Sequence, residues 1–336
     1  MKYLFVIKNL LIGFFIEAKS AEGFKVRVLI TGGQESEMET ALKEQLSKNN
    51  VYCIVAGKQQ KHSEISTLVH NDVYTFLNGM ELADILMENQ VDCVIHLSNK
   101  AITSNSMKDS FEQSEENIAC TIEVLEACVQ AKVHKIIFPS TIAVYGDIEG
   151  AITEEKLLQP VLFEGLSKKI EEKYIQNYHT LYGLSFTILR FPIIYGASSK
   201  HMNTESMIES TIKKVIENRP PIVFDDGEQK KHFLYISDAI QAIISSLNNG
   251  ENQVYNICPK EIYSMKEVVS IIHSSIKEDV LHSLEEGEKS RISTTKAQMD
   301  LKWHSRVPFS EGIRLTIKNI KHQAEQINRN IKIRLL

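Results

Sequence analysis

The stretch Lys135-Ile-Ile-Phe-Pro-Ser-Thr-Ile-Ala-Val-Tyr-Gly146 decides the fold. It starts with an apolar run of the length expected for a strand buried inside a parallel sheet, and Thr141 follows at the carboxyl end of that strand. After a polar loop, Glu164-Gly-Leu-Ser-Lys168 opens a long helical pattern. Ligands of open α/β sheets bind beyond the carboxyl ends of the strands. We therefore expect reactive side chains at Thr141 and Lys168.

Predicted strands and helices alternate on both sides of this stretch. Apolar runs predict strands at 26–30, 51–56 and 184–191, and amphipathic patterns predict helices that include Asn117–Val133 and 164–182. Strands alternating with helices of this length indicate parallel βαβ units. The sequence therefore predicts a Rossmann-like, doubly wound α/β sheet.

The pattern changes near Gly196, where shorter strands and capped helices follow. We expect an N-terminal extension at 1–24, a Rossmann-like domain at 25–195, and a smaller C-terminal α/β lobe at 196–336. The strand at 184–191 and some C-terminal segments are expected to interleave between the two units.

The net charge and the cysteines restrict the function and the compartment. The 336 residues carry a formal net charge of -5, so no basic excess exists to neutralise nucleic-acid phosphates. The five cysteines are scattered, without a CxxC pair or a histidine cluster. This pattern favours free thiols in a reducing compartment and argues against a zinc site. We expect a cytoplasmic protein that contains no metal and does not bind nucleic acid.

The N-terminal extension contains an apolar run, Tyr3–Ile16, interrupted by Lys8 and Asn9. The run is short for a membrane span and carries a charge in its middle. A signal peptide is one explanation, because Lys2 precedes the run and small residues follow it. A start codon placed too early, or a short extra helix, is the other, and the cysteine pattern favours it. Membrane association is not expected.

Thr141, the Tyr145-Gly146 pair four residues later and the Gly165-x-Ser-Lys168 motif resemble one known family. It is the extended short-chain dehydrogenase/reductases, in particular the NAD-dependent sugar-nucleotide epimerases and dehydratases. The resemblance covers roughly residues 25 to 320. It implies that the smaller C-terminal lobe binds substrate, with a nucleotide-diphosphate sugar as the substrate class and NAD or NADP as cofactor. Because relatives often dimerise through a four-helix bundle, we also expect a homodimer formed by the helices at 117–133 and 164–182.

Glu164 stands where this family places its catalytic tyrosine. The resemblance implies supporting catalytic roles for Thr141 and Lys168 and moves the central role to Glu164. A free glutamic acid has a pKa of about 4.3, so at neutral pH it accepts a proton weakly and hardly donates one. The favoured alternative is a Glu164–Lys168 ion pair at i, i+4 on an exposed helix face, which stabilises a helix by roughly 0.2–0.5 kcal/mol.

The predicted cofactor loop, Thr31-Gly-Gly-Gln-Glu-Ser-Glu-Met38, departs from the family motif Thr-Gly-x-x-Gly-x-x-Gly. Glu35 and Met38 replace two glycines that allow backbone N–H groups to approach a pyrophosphate and the helix to pack on the strand. Carboxylates at Glu35 and Glu37 would repel a diphosphate. Lys58 follows the second strand and suits the 2′-phosphate of NADP. We expect dinucleotide binding that is weak, altered or absent.

The resemblance assigns the remaining contacts position by position. Substrate contacts fall on Ile193, which stands where relatives have an asparagine, and on Lys231 and Arg291. The cofactor contacts implied are Thr31, Gly32, Gly33, Lys58, Ser98, Asn117, Lys168, Phe191 and Pro192.

Three functional hypotheses remain open. The first is a divergent epimerase, dehydratase or reductase that uses Glu164 or water as the acid/base. The second is a non-catalytic binding or regulatory module, or the partner subunit of an active relative. The third is an enzyme that uses the cleft without a dinucleotide. The changed motifs are those that the chemistry needs, while the landmarks of the fold persist, and this asymmetry favours the second hypothesis.

Overall fold

The computed structural model describes residues 26–32, 36–58, 73–76, 78–97, 107–147, 150–196, 207–221, 227–277 and 288–334. The predicted N-terminal extension, Gly33, Glu35 and Ser98 lie outside these ranges. Within them, no helix is both long and apolar enough to cross a membrane.

The core of the molecule is a seven-stranded sheet in which every neighbouring pair of strands is parallel. The strands are β1 Arg27–Thr31, β2 Tyr52–Lys58, β3 Val73–Phe76, β4 Cys93–His96, β5 Lys135–Thr141, β6 Ser185–Phe191 and β10 Gln253–Asn256. Their order in the sheet is β10-β6-β5-β4-β1-β2-β3. This order confirms the predicted doubly wound α/β sheet.

Helices cover both faces of this sheet, because its strands carry apolar side chains on both sides. One buried layer contains Leu29, Ile136 and Ile188, and the opposite layer contains Val28, Ile137 and Leu189. The helices that precede β10 are α1 Glu37–Lys48, α2 Gly79–Glu88, α3 Met107–Gln130, α4 Phe163–Tyr182, α5 Met207–Ile216 and α6 Ile236–Ser245.

Helix α3 starts ten residues before the start that the sequence pattern predicted, at Met107 instead of Asn117. The missed turns are mostly polar, and the large apolar side chain of Phe111 is exposed. The buried positions there are the small polar residues Ser110 and Ser114. Apolar periodicity, which carried the prediction, is therefore absent from this part of the helix.

The second unit is a smaller α/β lobe with a two-stranded sheet, β7-β9, and a three-stranded sheet, β12-β11-β8. Its apolar core includes Ile212, Val268 and Ile313, one from each of three helices. The elements not yet given are β7 Ile193–Tyr195, β8 Lys230–Lys231, β9 Phe233–Tyr235, β11 Glu261–Ser264, α7 Met265–Lys277, β12 Glu288–Lys289, α8 Thr295–Asp300 and α9 Phe309–Arg334.

The chain returns to the first unit after entering this lobe. β10 lies beside β6 in the large sheet, and α6 contributes Ala239 and Ile243 to the core layer that also holds Val28 of β1. The two-domain division at residue 195 stays a prediction, with β10 and α6 as segments that cross it.

Candidate functional site

The strand order reverses between β1 and β4, because β2 and β3 follow β1 on one side of the sheet whereas β4, β5 and β6 lie on the other side. The carboxyl ends of β1 and β4 lie side by side at this point. Thr31, the last residue of β1, lies in register with His96, the last residue of β4. Both side chains are buried, and Thr31 Oγ1 lies 2.6 Å from His96 Nδ1. This crevice is where a doubly wound sheet binds its ligand.

The turn after β1 keeps one glycine that its geometry requires. Gly32 has φ +72°, in the left-handed region that favours glycine. Helix α1 then begins at Glu37, and the Ser36 hydroxyl accepts a hydrogen bond from the Glu39 backbone N–H at 3.2 Å. A side chain of the protein thus occupies one of the free donors at the helix start.

Met38 does not disturb the packing of α1 against the sheet, contrary to the sequence prediction. Its side chain is half-buried and packs against the core layer that contains Val28 and Ile30. The thioether side chain contributes apolar contact where glycine would leave space.

Lys168 lies on the second turn of α4 with its side chain only 15% exposed. Its ammonium nitrogen is 3.5 Å from Glu171 Oε2 and 4.3 Å from the centroid of the Phe138 ring. The predicted exposed Glu164–Lys168 pair is therefore wrong. Lys168 turns towards the buried carboxylate of Glu171, because that carboxylate lies on the inward face of the helix whereas Glu164 faces solvent.

Glu164 occupies the first turn of α4 and is exposed. The next residue, Gly165, allows the helix to approach the turn that follows β5, since a Cβ atom at Gly165 would lie 2.4 Å from the Ala143 carbonyl oxygen. Thr141 ends β5 immediately before that turn, and its hydroxyl accepts a hydrogen bond from the Ala143 N–H at 3.2 Å. The close contact at Gly165 thus packs the first turn of α4 against the turn that Thr141 caps.

A second buried cluster lies on the β6 side of α4. Arg190 donates to Glu172 through two nitrogens, Nε to Oε1 at 3.1 Å and Nη2 to Oε2 at 2.7 Å. The Ser140 hydroxyl also donates to Glu172, at 2.6 Å. Arg190 Nη1 donates to the Tyr145 hydroxyl, which donates in turn to Asn256 Oδ1, each at 2.7 Å. Burial raises the pKa of Tyr145 to about 12, despite the guanidinium beside it, so Tyr145 stays a neutral donor.

The predicted substrate residues lie in three places. Ile193 begins β7 and is half-buried, next to the strand that contains Phe233. Lys231 ends β8, and Arg291 is exposed. His232 Nε2 and Ser290 Oγ, the neighbours of Lys231 and Arg291 in the chain, lie 2.7 Å apart, so this contact brings the two basic residues to adjoining segments. Burial lowers the pKa of His232 to about 4, which keeps that contact uncharged at neutral pH.

The other predicted cofactor residues are at the same edge of the large sheet or on the helices above it. Phe191 and Pro192 are buried at the end of β6, and Asn117 is buried on α3. Lys58 is the last residue of β2. Gly33 and Ser98 lie outside the described residues.

Glu171 was not predicted from the sequence as a site residue. It is fully buried and accepts hydrogen bonds from Thr121 at 2.8 Å and from Ser167 at 3.0 Å. The available signal was its spacing, three residues after Lys168 on a helix, which places the two side chains on one face. Within the described part of the chain, no group of His, Cys, Asp and Glu side chains is suited to hold a metal ion.

This arrangement agrees with comparisons against known proteins. The model of the NAD dependent epimerase/dehydratase family matches residues 28–258. The chain belongs to this family. The resemblance inferred from the α4 motif and from Thr141 is thereby confirmed.

Family members of known sequence match over most of their length. A putative UDP-glucose 4-epimerase of Methanocaldococcus jannaschii is 28% identical over 306 residues, covering 88% of this chain and 98% of the relative. A UDP-N-acetyl-alpha-D-glucosaminuronate decarboxylase of Bacillus cytotoxicus is 27% identical over 316 residues, covering 88% and 97%.

Solved structures of the epimerase/dehydratase family share the fold. UDP-glucose 4-epimerase of Thermotoga maritima with UDP-glucose superposes with a TM-score of 0.75 at 21% identity, covering 89% of this chain and 99% of that one. UDP-glucuronic acid 4-epimerase of Bacillus cereus in complex with NAD gives 0.71 at 25% identity, covering 88% and 96%.

The residues of this epimerase/dehydratase family member fit a dinucleotide more closely at one end of the crevice than at the other. At the α4 end, Lys168 supplies a positive charge on a side chain that is 15% exposed. At the α1 end, Gly32 provides the turn, but Ser36 already caps the helix and Glu39 is a buried carboxylate in its first turn. Free backbone N–H groups at a helix start bind phosphate, and here one of them already donates to Ser36. The start of α1 is therefore less suited to bind a phosphate.

Proposed function

We propose that this protein binds a nucleotide-diphosphate sugar together with NAD or NADP, and that the tyrosine-dependent proton transfer of its family is lost or altered. One observation carries the proposal. At the family's tyrosine position the chain has Glu164, an exposed carboxylate on the first turn of α4, directly before the tight Gly165 contact. The scaffold of the site is kept while its acid/base has changed.

The proposed roles follow from the placement of the side chains. Thr141 ends β5 at the ligand edge, so its hydroxyl is placed to bind a hydroxyl of the sugar. Lys231 and Arg291 flank the His232–Ser290 contact and supply two positive charges for a diphosphate. A bound nicotinamide would supply hydride transfer. Lys168 would hold its ribose, and the pyrophosphate would be held weakly at the start of α1.

Glu164 differs from tyrosine in both reach and proton affinity. A glutamate side chain is shorter than a tyrosine side chain, so its oxygen lies further from the substrate atom that the tyrosine hydroxyl reaches. A carboxyl group is also a far stronger acid than a phenol, so it is the less suitable proton donor for a sugar oxygen. Proton donation to a sugar oxygen is therefore the step that this site performs least well.

The experiment restores the tyrosine. Wild type, Glu164→Tyr and the matched control Glu164→Phe are incubated with NAD and UDP-glucose, and sugar products are measured by NMR. Because only tyrosine supplies the missing hydroxyl, we expect Glu164→Tyr to exceed wild type by at least about 100-fold, within the range that general acid–base catalysis contributes. Glu164→Phe is expected to match wild type.

Two results would overturn the proposal. Measurable and equal turnover by wild type and Glu164→Tyr would show that proton transfer in the wild type is not impaired. No binding of NAD, NADP or UDP-glucose to wild type in calorimetric titration at millimolar concentration would instead support a non-catalytic module.

We also propose a homodimer formed through α3 and α4. Large apolar side chains remain exposed on both helices, and exposed apolar patches favour association between protein surfaces. They are Phe111 on α3 and Leu166, Tyr174, Leu181 and Tyr182 on α4. Sedimentation velocity of wild type and Tyr174→Glu tests this, with a dimer expected only for the wild type.

A further inference from the structure

Glu171 is a buried carboxylate for which the proposed function gives no role. Its side chain is 0% exposed, although it lies on α4 only three residues after Lys168. It accepts hydrogen bonds from the Thr121 hydroxyl into Oε2 at 2.8 Å and from the Ser167 hydroxyl into Oε1 at 3.0 Å. A buried carboxylate needs such donors, and it also needs a positive charge.

The hydrogen bonds around Glu171 run in one direction. Thr121 has a single hydroxyl proton, which it donates to Glu171, so its oxygen accepts from His96 Nε2 at 3.0 Å. Burial lowers the pKa of His96 to about 4, so the ring is neutral and carries its one proton on Nε2. Its Nδ1 then accepts from the Thr31 hydroxyl, 2.6 Å away. A polarised chain thus leads from the end of β1 to Glu171.

Lys168 is the positive charge beside this carboxylate, and its distance from the carboxylate is long for an ion pair. Charge-assisted N–H···O bonds are usually about 2.7–2.9 Å long, and the Lys168–Glu171 distance is 3.5 Å. The ammonium also lies 4.3 Å from the centroid of the Phe138 ring, a cation–π contact. Burial opposes the ionised form of Glu171, but Lys168 and the donors outweigh it and lower the pKa of this carboxyl.

We propose that Glu171 is a positioning residue that keeps the Lys168 ammonium inside the protein, beside its own carboxylate and over the Phe138 ring. A ligand that takes Lys168 must then compete with Glu171. Where that ligand is the ribose of a dinucleotide, this part of the inference rests on the proposed function. The retention of Lys168 by Glu171 does not.

Competitive acetylation of the full chain tests the retention directly. Wild type and Glu171→Gln are treated with limiting acetic anhydride at one fixed pH, and modification of individual lysines is measured by peptide mass spectrometry. Lys169, which donates to the Leu158 carbonyl at 2.9 Å, is the internal reference. Because Gln keeps the shape but removes the charge, we expect the Lys168/Lys169 ratio to rise about 10-fold. An unchanged ratio would overturn the proposal.

Phe138→Leu provides a second variant in case Glu171→Gln does not fold. It removes the ring under the ammonium while keeping the site apolar, and we expect the ratio to rise about threefold. If the ring change leaves the ratio at the wild-type value, Lys168 is not retained where the structure places it, and the proposal is wrong.

Calorimetric titration of the same variants with NAD separates this inference from the proposed function. If Glu171 competes with the cofactor, Glu171→Gln binds NAD about 10-fold more tightly than wild type. A raised acetylation ratio with unchanged NAD affinity would leave the retention of Lys168 established and would overturn its role in cofactor binding.

Discussion

Two consecutive glutamates on α4 are both buried, yet they lie in opposite surroundings. Glu172 faces β5 and β6, where Arg190 binds both its oxygens and Ser140 donates to one of them. Glu171 faces β4 and α3, where hydroxyl groups and a more distant ammonium surround it. One carboxylate is matched by a rigid, planar cation, and the other by a flexible lysine.

The difference shows how one helix serves the fold and the site at once. A two-point guanidinium contact fixes both partners, whereas a lysine is a point charge on a flexible stem that can change partners. Arg190 is further tied to Tyr145 and, at 3.2 Å, to the Glu154 carbonyl. We infer that the Glu172 side holds the sheet and α4 together, and that the Glu171 side is the adjustable one.

The largest expected effect is that of Glu172→Gln. It leaves Arg190 buried without a countercharge, which typically costs about 3–5 kcal/mol of unfolding free energy. Urea denaturation followed by circular dichroism measures the change. Glu44→Gln removes a carboxylate from an exposed pair with Lys48 and is the matched control, with a change below about 0.5 kcal/mol. A Glu172→Gln variant as stable as this control would refute the division between the two sides.

The next effect is a dependence of stability on pH from the Glu171 side. His96 has a pKa of about 4 in the fold, lowered mainly by burial, against 6.5 when free. Between these pH values the unfolded chain binds a proton that the native protein excludes, so the free energy of unfolding rises with pH. The contribution of His96 reaches its full value above about pH 6.5. The shift corresponds to about 3 kcal/mol.

His96→Gln tests this dependence, because its amide N–H can still donate to Thr121. We measure the free energy of unfolding by urea denaturation at pH 4 and at pH 6.5. We expect the difference between these two values to be smaller in His96→Gln than in wild type by about 3 kcal/mol. Part of the slope should remain, since His232 also has a pKa of about 4 in the fold. Below about pH 4.5 the lowered pKa of Glu171 adds a further loss as the carboxyl group takes up its proton. An unchanged slope in His96→Gln would contradict the assignment.

The smallest effect is that of Glu171→Gln on stability. Lys168 is partly exposed and can turn to solvent when its partner loses charge, so the cost is that of a weakened buried hydrogen-bond cluster, about 1–2 kcal/mol. The same urea measurement sets this value beside that of Glu172→Gln. Equal costs for the two variants would show that Lys168 is as firmly fixed as Arg190.

Much of the fold was predictable from the sequence because its signals are local. β1, β5 and β6 are apolar runs, and the alternation of strands and helices indicates a parallel sheet. Thr141 could be placed at the carboxyl end of β5 because that strand was predicted from its apolar run. The start of α3 could not be predicted, since its first turns expose charges and the side chains described as buried there, Ser110 and Ser114, are small and polar.

The role of Glu171 depends on contacts between distant parts of the chain. Thr121, its donor, is 50 residues away on α3, and His96, which contacts Thr121, lies on strand β4. The pattern of charges on α4 shows that Lys168 has three acidic neighbours, at i−4, i+3 and i+4. Which of them it binds is decided by which helix face is buried, and the neighbouring helix α3 and strand β4 determine that.

The position of β10 has a consequence for synthesis of the chain. β6 ends at Phe191, but its outer neighbour β10 is completed only at Asn256. Until residue 256 has left the ribosome, β6 is an open edge with unpaired backbone groups, the kind of edge on which nascent chains associate. The large sheet is thus completed only after the segment from Phe191 to Asn256 has been synthesised. This segment includes helix α6, which packs on the sheet.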